Sequence, residues 1–260
     1  MTSLIDIRDL TFSFQRKRVL DAVSLSINDG DHVAILGPNG SGKSTLLRCI
    51  NRILTPPPRT VFIEGVPLEA IKQKSLATKL AYVPQTHFKQ VAFTVREYLA
   101  LARYPHGDGW RKESDADREA IASALAETDL EHLAKRPMNR LSGGECQKVL
   151  IAAALTQQAP ILLLDEATAF LDFKHKTQIH RLLQVLSGKG KTIISVTHDI
   201  NHAALSSNRI FALKAGEVVF DGTPEAFMTP DVMHQVYSEH FLFTPHPATG
   251  KPVVVPKAVS

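Results

Sequence analysis

The chain has 260 residues, of which 44% are hydrophobic and 22% charged, and its formal net charge is +4 at pH 7. This composition is that of a folded globular protein and excludes a disordered chain. The basic residues are scattered along the sequence, so the small positive charge does not predict a nucleic-acid partner.

No segment has the length of a membrane span or the pattern of a signal peptide. The longest apolar run, Val149 to Leu155, is too short to cross a bilayer. The N-terminus carries acids and alternating apolar residues where a signal peptide has a basic patch and a long apolar core. We therefore expect a cytoplasmic location. Cys49 and Cys146 belong to no C-x-x-C pair, so neither a disulfide nor a zinc site is predicted.

The first thirty residues predict β-strands that cover one edge of the core. Apolar residues alternate over Leu4 to Ile7 and over Val23 to Ile27, with a further short strand over Thr11 to Phe14. We expect these strands to pair in an antiparallel sheet.

A phosphate-binding loop is predicted next, in Gly37-Pro38-Asn39-Gly40-Ser41-Gly42-Lys43-Ser44-Thr45. This segment fits G-x-x-x-x-G-K-[ST], follows an apolar run and precedes apolar residues at helical spacing, which is the context that the motif requires. Its glycines let backbone amides turn towards one point, where the following helix adds the positive end of its dipole. Lys43 would reach the β and γ phosphates of a nucleotide, and Ser44 would place its hydroxyl on Mg²⁺. The helix is predicted to run to about Leu54.

Residues from about 86 to 160 predict a helical insertion in the core. Thr94 to Glu97 forms a capping box, and a second helix fits Ala116 to Thr128. An interruption of this length is too long for a plain loop, so we expect a small helical subdomain.

Strands return with the apolar runs Ile161 to Leu164 and Thr192 to Val196, which are typical of strands buried on both faces of a parallel sheet. A helix over Thr177 to Leu186 separates them, and this alternation predicts an α/β fold. Ile210 to Leu213 and Glu217 to Phe220 predict a hairpin. We expect a short helix and a proline-rich tail at the end of the chain.

Polar residues that follow the buried strands are the candidates for chemistry. Asp165 follows Ile161 to Leu164 directly and would hold Mg²⁺ beside Ser44 as a Walker B acid. Glu166 is one residue further and is the candidate to polarise the attacking water. Alone, the two acids would be only a solvated strand end, but together with the phosphate-binding loop they favour the catalytic interpretation.

Two further side chains are candidates at the ends of strands. His198 ends the next apolar strand, where it could donate to the phosphoryl oxygens in the transition state. Gln85 lies where the core meets the helical insertion, so it could touch Mg²⁺ or water and move with the insertion. Without the surrounding motifs, His198 would be structural and Gln85 a solvated loop residue.

A second anion-binding helix start is predicted at Ser142-Gly143-Gly144, which opens an apolar helix over Gln147 to Thr156. One nucleotide does not need two such sites, so the second site indicates a second chain.

This set of motifs closely resembles the nucleotide-binding subunit of an ATP-binding cassette (ABC) transporter, over residues of about 3 to 240. The resemblance implies a P-loop NTPase (RecA-like) core with an antiparallel β edge subdomain and an inserted α-helical subdomain, followed by a tail at 241–260. It implies a head-to-tail dimer in which Ser142, Gly143 and Gly144 complete the ATP site of the other copy. It also implies that Asp172 is the D-loop residue and that Phe14 stacks on adenine.

As implied by the resemblance, the partners are a second copy, two integral-membrane permeases and, indirectly, a periplasmic or lipid-anchored substrate-binding protein, with the chain peripheral on the cytoplasmic face of the cell membrane. The finer resemblance is to importers of iron chelates, including siderophores. It rests on Phe170-Leu171-Asp172, on Ala102 to Pro105 and on the C-terminal segments Gly222 to Pro224 and Thr244 to Pro252. Ala167, Lys148 and Arg59 differ from the usual residues of the family, but none of these differences removes a catalytic group.

Alternative functions were left open by the sequence. Haem and cobalamin importers are close to the iron-chelate branch. A non-transport ATPase of iron-sulfur cluster assembly has the same motifs and a similar length, and would differ by copurifying with soluble scaffold proteins instead of permeases. A degenerate module without turnover is disfavoured by the intact Lys43, Asp165, Glu166 and His198.

Overall fold

The structure is a computed structural model and describes residues 3–85, 92–107, 113–169 and 171–255. Its strands are β1 (Ile5–Phe14), β2 (Lys17–Ile27), β3 (His32–Leu36), β4 (Val61–Ile63), β5 (Val66–Pro67), β6 (Leu80–Val83), β7 (Ile161–Asp165), β8 (Thr192–Val196), β9 (Arg209–Lys214), β10 (Glu217–Gly222), β11 (Leu242–Pro245) and β12 (Pro252–Val255). Its α-helices are α1 (Lys43–Ile50), α2 (Gln73–Ala77), α3 (Val95–Leu101), α4 (Asp115–Glu127), α5 (Gly143–Thr156), α6 (Phe173–Gly188), α7 (Ile200–Ser206), α8 (Pro224–Phe227) and α9 (Pro230–Tyr237).

The chain divides into two compact units. The first unit comprises Met1–Ile71 and Thr192–Ser260, and the second comprises Lys72–Lys191. Both contain helices and strands, which confirms the predicted α/β class. None of the described helices is long and apolar enough to cross a membrane.

In the first unit, an antiparallel sheet has the strand order β2-β1-β4-β5. The antiparallel pairing was predicted, but the division of the first segment into two short strands was wrong, because β1 is continuous from Ile5 to Phe14. Register shifts against β2 begin after Ile7, and Asp9 has a φ of 47°. Such bulges insert extra residues, and they interrupt the simple alternation from which strands are predicted.

The same unit contains the strands β10, β9, β3 and β8 in that order. β3 is parallel to both β8 and β9, and β9 forms the predicted antiparallel hairpin with β10. All five residues of β3 are buried, as expected for a strand covered on both faces. The sheet therefore has the parallel centre that the apolar runs predicted.

The helix after the phosphate-binding loop is shorter than predicted. α1 ends at Ile50 instead of about Leu54. The chain leaves the helix because Arg52 has a left-handed φ of 55° and its guanidinium donates to the carbonyls of Leu68 and Ile71. The end of this helix is thus decided by a contact with a later segment.

Arg59, which stands where the family commonly has glycine, also has a left-handed backbone, with a φ of 60°. A residue with a β-carbon pays about 1 kcal/mol for this conformation, and glycine does not. The N–H of Arg59 donates to a carboxylate oxygen of Glu69 at 3.0 Å. The left-handed backbone therefore explains why glycine is common at this position in the family. The hydrogen bond to Glu69 stabilises the turn when arginine occupies the position.

The predicted single short helix and tail at the C-terminus were wrong in detail. Two helices, α8 and α9, are followed by an antiparallel hairpin of β11 and β12. The side chain of Asn201 in α7 holds this hairpin, because it accepts from the N–H of Val254 at 2.7 Å and donates to its carbonyl at 2.9 Å. Phe243 and Val254 of the hairpin pack against the apolar cluster around Ala203.

In the second unit, β6 and β7 are parallel neighbours, and α3, α4 and α5 pack around a shared apolar core. The capping box of α3 is confirmed, and α4 lies within one residue of its prediction. α5 begins at Gly143, earlier than the predicted Gln147, because Ser142 caps it. Residues 86–160 lie inside this unit, but their limits as an inserted subdomain stay a prediction, and 86–91 and 108–112 lie outside the described residues.

A buried arginine, just after α3, connects α4 and α5 of this unit. The guanidinium of Arg103 donates to Asp117 at the start of α4, and to the carbonyl of Thr156 and the amide oxygen of Gln158 at the end of α5. The hydroxyl of Ser114 and then Arg103 hold the pKa of Asp117 well below its usual range. These charge-assisted bonds satisfy a buried ion pair that would otherwise be costly.

We expect the stability of the first unit to depend on pH through His32. Burial lowers the pKa of this imidazole to about 4, from its ordinary 6.5. Between pH 6.5 and pH 4, His32 therefore binds a proton in the unfolded chain but not in the folded chain. The free energy of unfolding consequently falls as the pH drops through this range. Urea unfolding of wild type and His32→Gln at pH 7 and pH 5 should show a loss about 2 kcal/mol larger in wild type. Equal losses in the two proteins would contradict this.

Candidate active site

The phosphate-binding loop joins β3 to α1 in the first unit. Lys43 is 5% exposed, and its ammonium donates to the carbonyls of Gly37 and Pro38, both at 2.9 Å. The helix begins directly after Gly42, with no side-chain cap and no acidic residue in its first turn. The positive end of its dipole is therefore offset by no carboxylate of that turn, which favours the binding of an anion.

Two of the loop glycines are required by their surroundings. A β-carbon on Gly37 would lie 2.0 Å from the carbonyl oxygen of Leu213, and one on Gly42 would lie 2.7 Å from the side chain of Leu20. Both glycines also have positive φ angles, of 139° and 104°. Close packing and backbone conformation thus demand glycine at the same two places.

Other parts of the first unit support the loop. The N–H of Gly216, in the β9–β10 hairpin, donates to the carbonyl of Ser41 at 3.2 Å. The backbone of Gly37 hydrogen-bonds Tyr237 of α9, whose pKa burial raises to about 12. Neither Gly216 nor Tyr237 belongs to a local motif, so the sequence alone gives no signal for either residue.

His198 lies at the same edge of the sheet as the phosphate-binding loop. β3 and β8 are parallel, with Ile35 paired to Val196. Gly37 and His198 each follow two residues after this pair, so both lie beyond the carboxyl ends of neighbouring strands. The His198 side chain is exposed there, and Asp199 caps α7 directly after it.

Phe14 ends β1 and is 46% exposed, so it is not the core residue that an isolated strand position would be. Its ring packs edge to face against Phe12, with centroids 5.2 Å apart. An exposed ring that is supported by a second aromatic side chain can offer a flat apolar surface to a base.

The second unit holds the acids. Asp165 ends β7 with 0% exposure, and one of its carboxylate oxygens accepts from the hydroxyl of Tyr82 at 2.9 Å. Tyr82 lies in the neighbouring strand β6 and was not predicted to take part. A buried polar group is costly without a hydrogen-bond partner, and Tyr82 supplies one to Asp165.

Glu166 and Gln85 are brought together by the same strand pair. β6 and β7 are parallel, with Val83 paired to Leu164, and each residue follows its strand at that edge. The amide nitrogen of Gln85 donates to a carboxylate oxygen of Glu166 at 2.6 Å. Glu166 has a left-handed φ of 51°, a strained conformation for a residue with a side chain. The strained residue is the one that the sequence singled out as the base.

Two predicted motif residues cap helices of the second unit. Ser142 accepts from the N–H of Glu145, and the carboxylate of Glu145 accepts from the N–H of Ser142 at 2.7 Å, which makes a complete capping box for α5. Ser142 and Gly143 are exposed, whereas Gly144 is buried. The S-x-x-E spacing could have revealed Glu145 in the sequence. Asp172 caps α6, while its neighbour Phe170 lies outside the described residues.

Each unit therefore gathers part of the predicted site. The first contains the phosphate-binding loop, His198 and Phe14, and the second contains Gln85, Asp165, Glu166, Asp172 and the Ser142 segment. Among the described residues, no group of three or more His, Cys, Asp or Glu side chains could hold a metal ion.

Comparison with known proteins agrees with these motifs. Residues 20–169 match the family model described as ABC transporter. The chain belongs to the ABC transporter family, as an ATP-hydrolysing ATP-binding subunit with a P-loop NTPase fold. It is 39% identical over 236 residues to the iron(3+)-hydroxamate import ATP-binding protein FhuC of Bacillus subtilis (strain 168), which covers 90% of this chain and 88% of that protein. It is 40% identical over 242 residues to the hemin import ATP-binding protein HmuV of Nocardia farcinica (strain IFM 10152), which covers 92% and 83%.

Solved structures of the family are also similar. A metal-chelate type ABC transporter in an inward-facing conformation matches with a TM-score of 0.85 and 25% identity, over 99% of this chain and 98% of that one. A dimeric ATP-binding cassette bound to ADP and phosphate matches with a TM-score of 0.73 and 32% identity, over 85% and 98%.

Proposed function

We propose that this chain is the ATPase subunit of an importer of a chelated metal, with an iron(III)-siderophore complex as the solute. The similarity to an iron(3+)-hydroxamate import protein over most of both chains carries this proposal. The similarity to a metal-chelate type transporter over 99% of the chain supports it. Haem is the second candidate solute, because the hemin import protein is equally similar.

ATP is bound by the phosphate-binding loop in this proposal. The amides of Gly37 to Thr45 surround the phosphates, Lys43 contacts the β and γ phosphates, and Phe14 stacks on adenine. The buried ammonium of Lys43 already lies within the loop, and the exposed ring of Phe14 supports its assignment. Mg²⁺ would be held by Ser44, Asp165 and Gln85, whose oxygen donors suit this ion, and it would neutralise charge on the phosphates.

Glu166 polarises the water that attacks the γ phosphate. The hydrogen bond from Gln85 orients its carboxylate, and the bend of the backbone after β7 turns the side chain out of the strand. His198 donates to the phosphoryl oxygens as charge develops in the transition state. The reaction depends on positioning and on charge stabilisation, since the protein forms no covalent intermediate.

Each nucleotide is completed by a second copy of the chain. Ser142, Gly143 and Gly144 of one copy meet the ATP on the other, and Asp172 lies at the same contact. An oxygen that accepts one hydrogen bond keeps its proton, so the capping role of Ser142 leaves its hydroxyl able to donate to phosphate. The dimeric cassette bound to ADP and phosphate supports this arrangement.

Movement on ATP binding is passed to a pair of integral-membrane permeases at the cytoplasmic face of the membrane. Gln85 and the helices that follow it transmit the closure, because Gln85 contacts Glu166 and directly precedes this helical region. The permeases would receive the solute from a periplasmic or lipid-anchored substrate-binding protein.

We expect Glu166→Gln to bind ATP but to hydrolyse it about 10² to 10⁴ times more slowly, because the amide cannot accept the proton of water. The measurement is phosphate release at saturating ATP, together with equilibrium ATP binding. Glu119→Gln on the exposed face of α4 is the matched control and should retain the wild-type rate. Unchanged hydrolysis by Glu166→Gln would remove Glu166 from the mechanism.

A second prediction concerns the site that the other copy completes. Ser142→Arg should abolish hydrolysis and ATP-dependent dimerisation, because a large cation would occupy the place of the phosphate, yet monomers should bind ATP normally. Ser142→Ala removes both the helix cap, worth about 1 kcal/mol of stability, and the hydroxyl, so its free energy of unfolding measures the first loss and its hydrolysis rate reports on both. Loss of ATP binding by Ser142→Arg monomers would argue against action on the other copy.

The solute can be tested by uptake in cells that lack the gene. Uptake of radiolabelled ferric hydroxamate and catecholate chelates should be lost, restored by the wild-type gene and not restored by Glu166→Gln. Haem and cobalamin are measured in parallel, and a defect confined to either of them would replace the iron-siderophore assignment. Copurification with soluble scaffold proteins instead of permeases would indicate the iron-sulfur assembly alternative.

A further inference from the structure

His175 lies in the first turn of α6 and contacts the D-loop residue Asp172 twice. Its main-chain N–H donates to a carboxylate oxygen of Asp172 at 2.9 Å, which caps the helix. Its ring nitrogen Nδ1 lies 2.9 Å from both carboxylate oxygens. The second contact is not needed for capping, and it fixes the orientation of the imidazole on Asp172.

The same ring also lies against Gly144. A β-carbon on Gly144 would lie between 2.4 and 2.7 Å from three atoms of the His175 ring. Gly144 is helical and has no positive φ, so backbone conformation does not demand glycine there. The ring therefore occupies the space of a side chain at position 144, and this steric contact is a reason for glycine within the chain itself.

The pKa values of two neighbouring carboxylates also respond to His175. The carboxylate of Glu145, next to Gly144, has a pKa lowered first by the N–H of Ser142 and further by Arg136 and His175. The hydrogen bonds from His175 also lower the pKa of Asp172. His175 therefore contributes to the electrostatic environment of one carboxylate on each of the two segments.

We propose that His175 is a positioning residue that holds the first turn of α5 and the D-loop together, so that Ser142 to Gly144 and Asp172 approach the ATP of the other copy as one body. This inference rests on the proposed function, in which both segments act on the second chain. His175 itself touches neither nucleotide nor water in this role. Its contribution is to keep the first turn of α5 and the D-loop at a fixed distance and orientation to each other.

The first experiment compares His175→Ala with His175→Asn and with Lys174→Ala, an exposed neighbour in the same turn. His175→Ala should lower kcat about tenfold without changing ATP binding to monomers, since misplaced groups lose rate more than ground-state affinity. The amide of His175→Asn can replace Nδ1 as a donor to Asp172, so part of the rate should return. Lys174→Ala should match wild type.

The second experiment is a double-mutant cycle with Gly144→Ala. In wild type, the added methyl group would collide with the imidazole and lower kcat. In the His175→Ala background the space is open, so the same substitution should cost less, and the two losses should not add. If His175 only stabilised α6, the coupling would appear in the free energy of unfolding, and the kcat values would not show it. If His175→Ala does not fold, His175→Ser serves as the background, because its side chain has only one heavy atom beyond the β-carbon and can turn it away from position 144.

Two outcomes would overturn the proposal: a kcat for folded His175→Ala within about twofold of wild type, or additive losses in the cycle. The behaviour of Ser142→Arg separates this failure from a failure of the proposed function. If Ser142→Arg is inactive and binds ATP while His175→Ala is fully active, only the role of His175 is wrong. If Ser142→Arg hydrolyses ATP normally, the proposed site on the second copy is wrong as well.

Discussion

The hydrogen-bonded register of parallel strands is the constraint on which the candidate site depends. In a parallel pair, residues at the carboxyl ends of both strands emerge at one edge. The pairing of Ile35 with Val196 places the phosphate-binding loop and His198 at such an edge, and the pairing of Val83 with Leu164 does the same for Gln85 and Glu166. A shift of one residue in either register would turn the side chains to the opposite face.

The N-termini of the helices at the candidate site are of two kinds, with and without a side-chain cap. α1 begins without a side-chain cap, which leaves its positive end to an anion. α5 and α6 are capped by Ser142 and Asp172, which satisfy amides of their own chain and, in the proposed function, also meet a second copy. Substitutions at these two positions therefore change helix stability and turnover together, and kinetics must be separated from folding before either is interpreted.

The motifs that define the family concern ATP, and this explains why the relatives named for iron(3+)-hydroxamate and for hemin import are almost equally similar to the chain. Binding, in-line attack and release of phosphate need the same groups for any solute. Selection of the solute belongs, in the proposed function, to the partner proteins, so uptake measurements address it more directly than substitutions in the ATP site.

Local spacing in the sequence determined the phosphate-binding loop, the acids Asp165 and Glu166, the capping box at Thr94 and the α/β class, because each depends on neighbours within a few residues or on a repeated period. The bulges in β1, which depend on its pairing with β2, hid the continuity of this strand. The early end of α1 depends on Arg52, whose guanidinium donates to the carbonyl of Leu68. Likewise, only tertiary packing places Tyr82 on Asp165, Tyr237 on the loop and the ring of His175 over Gly144. These contacts join residues far apart in the chain or depend on where a side chain points, and neither is written in a local pattern.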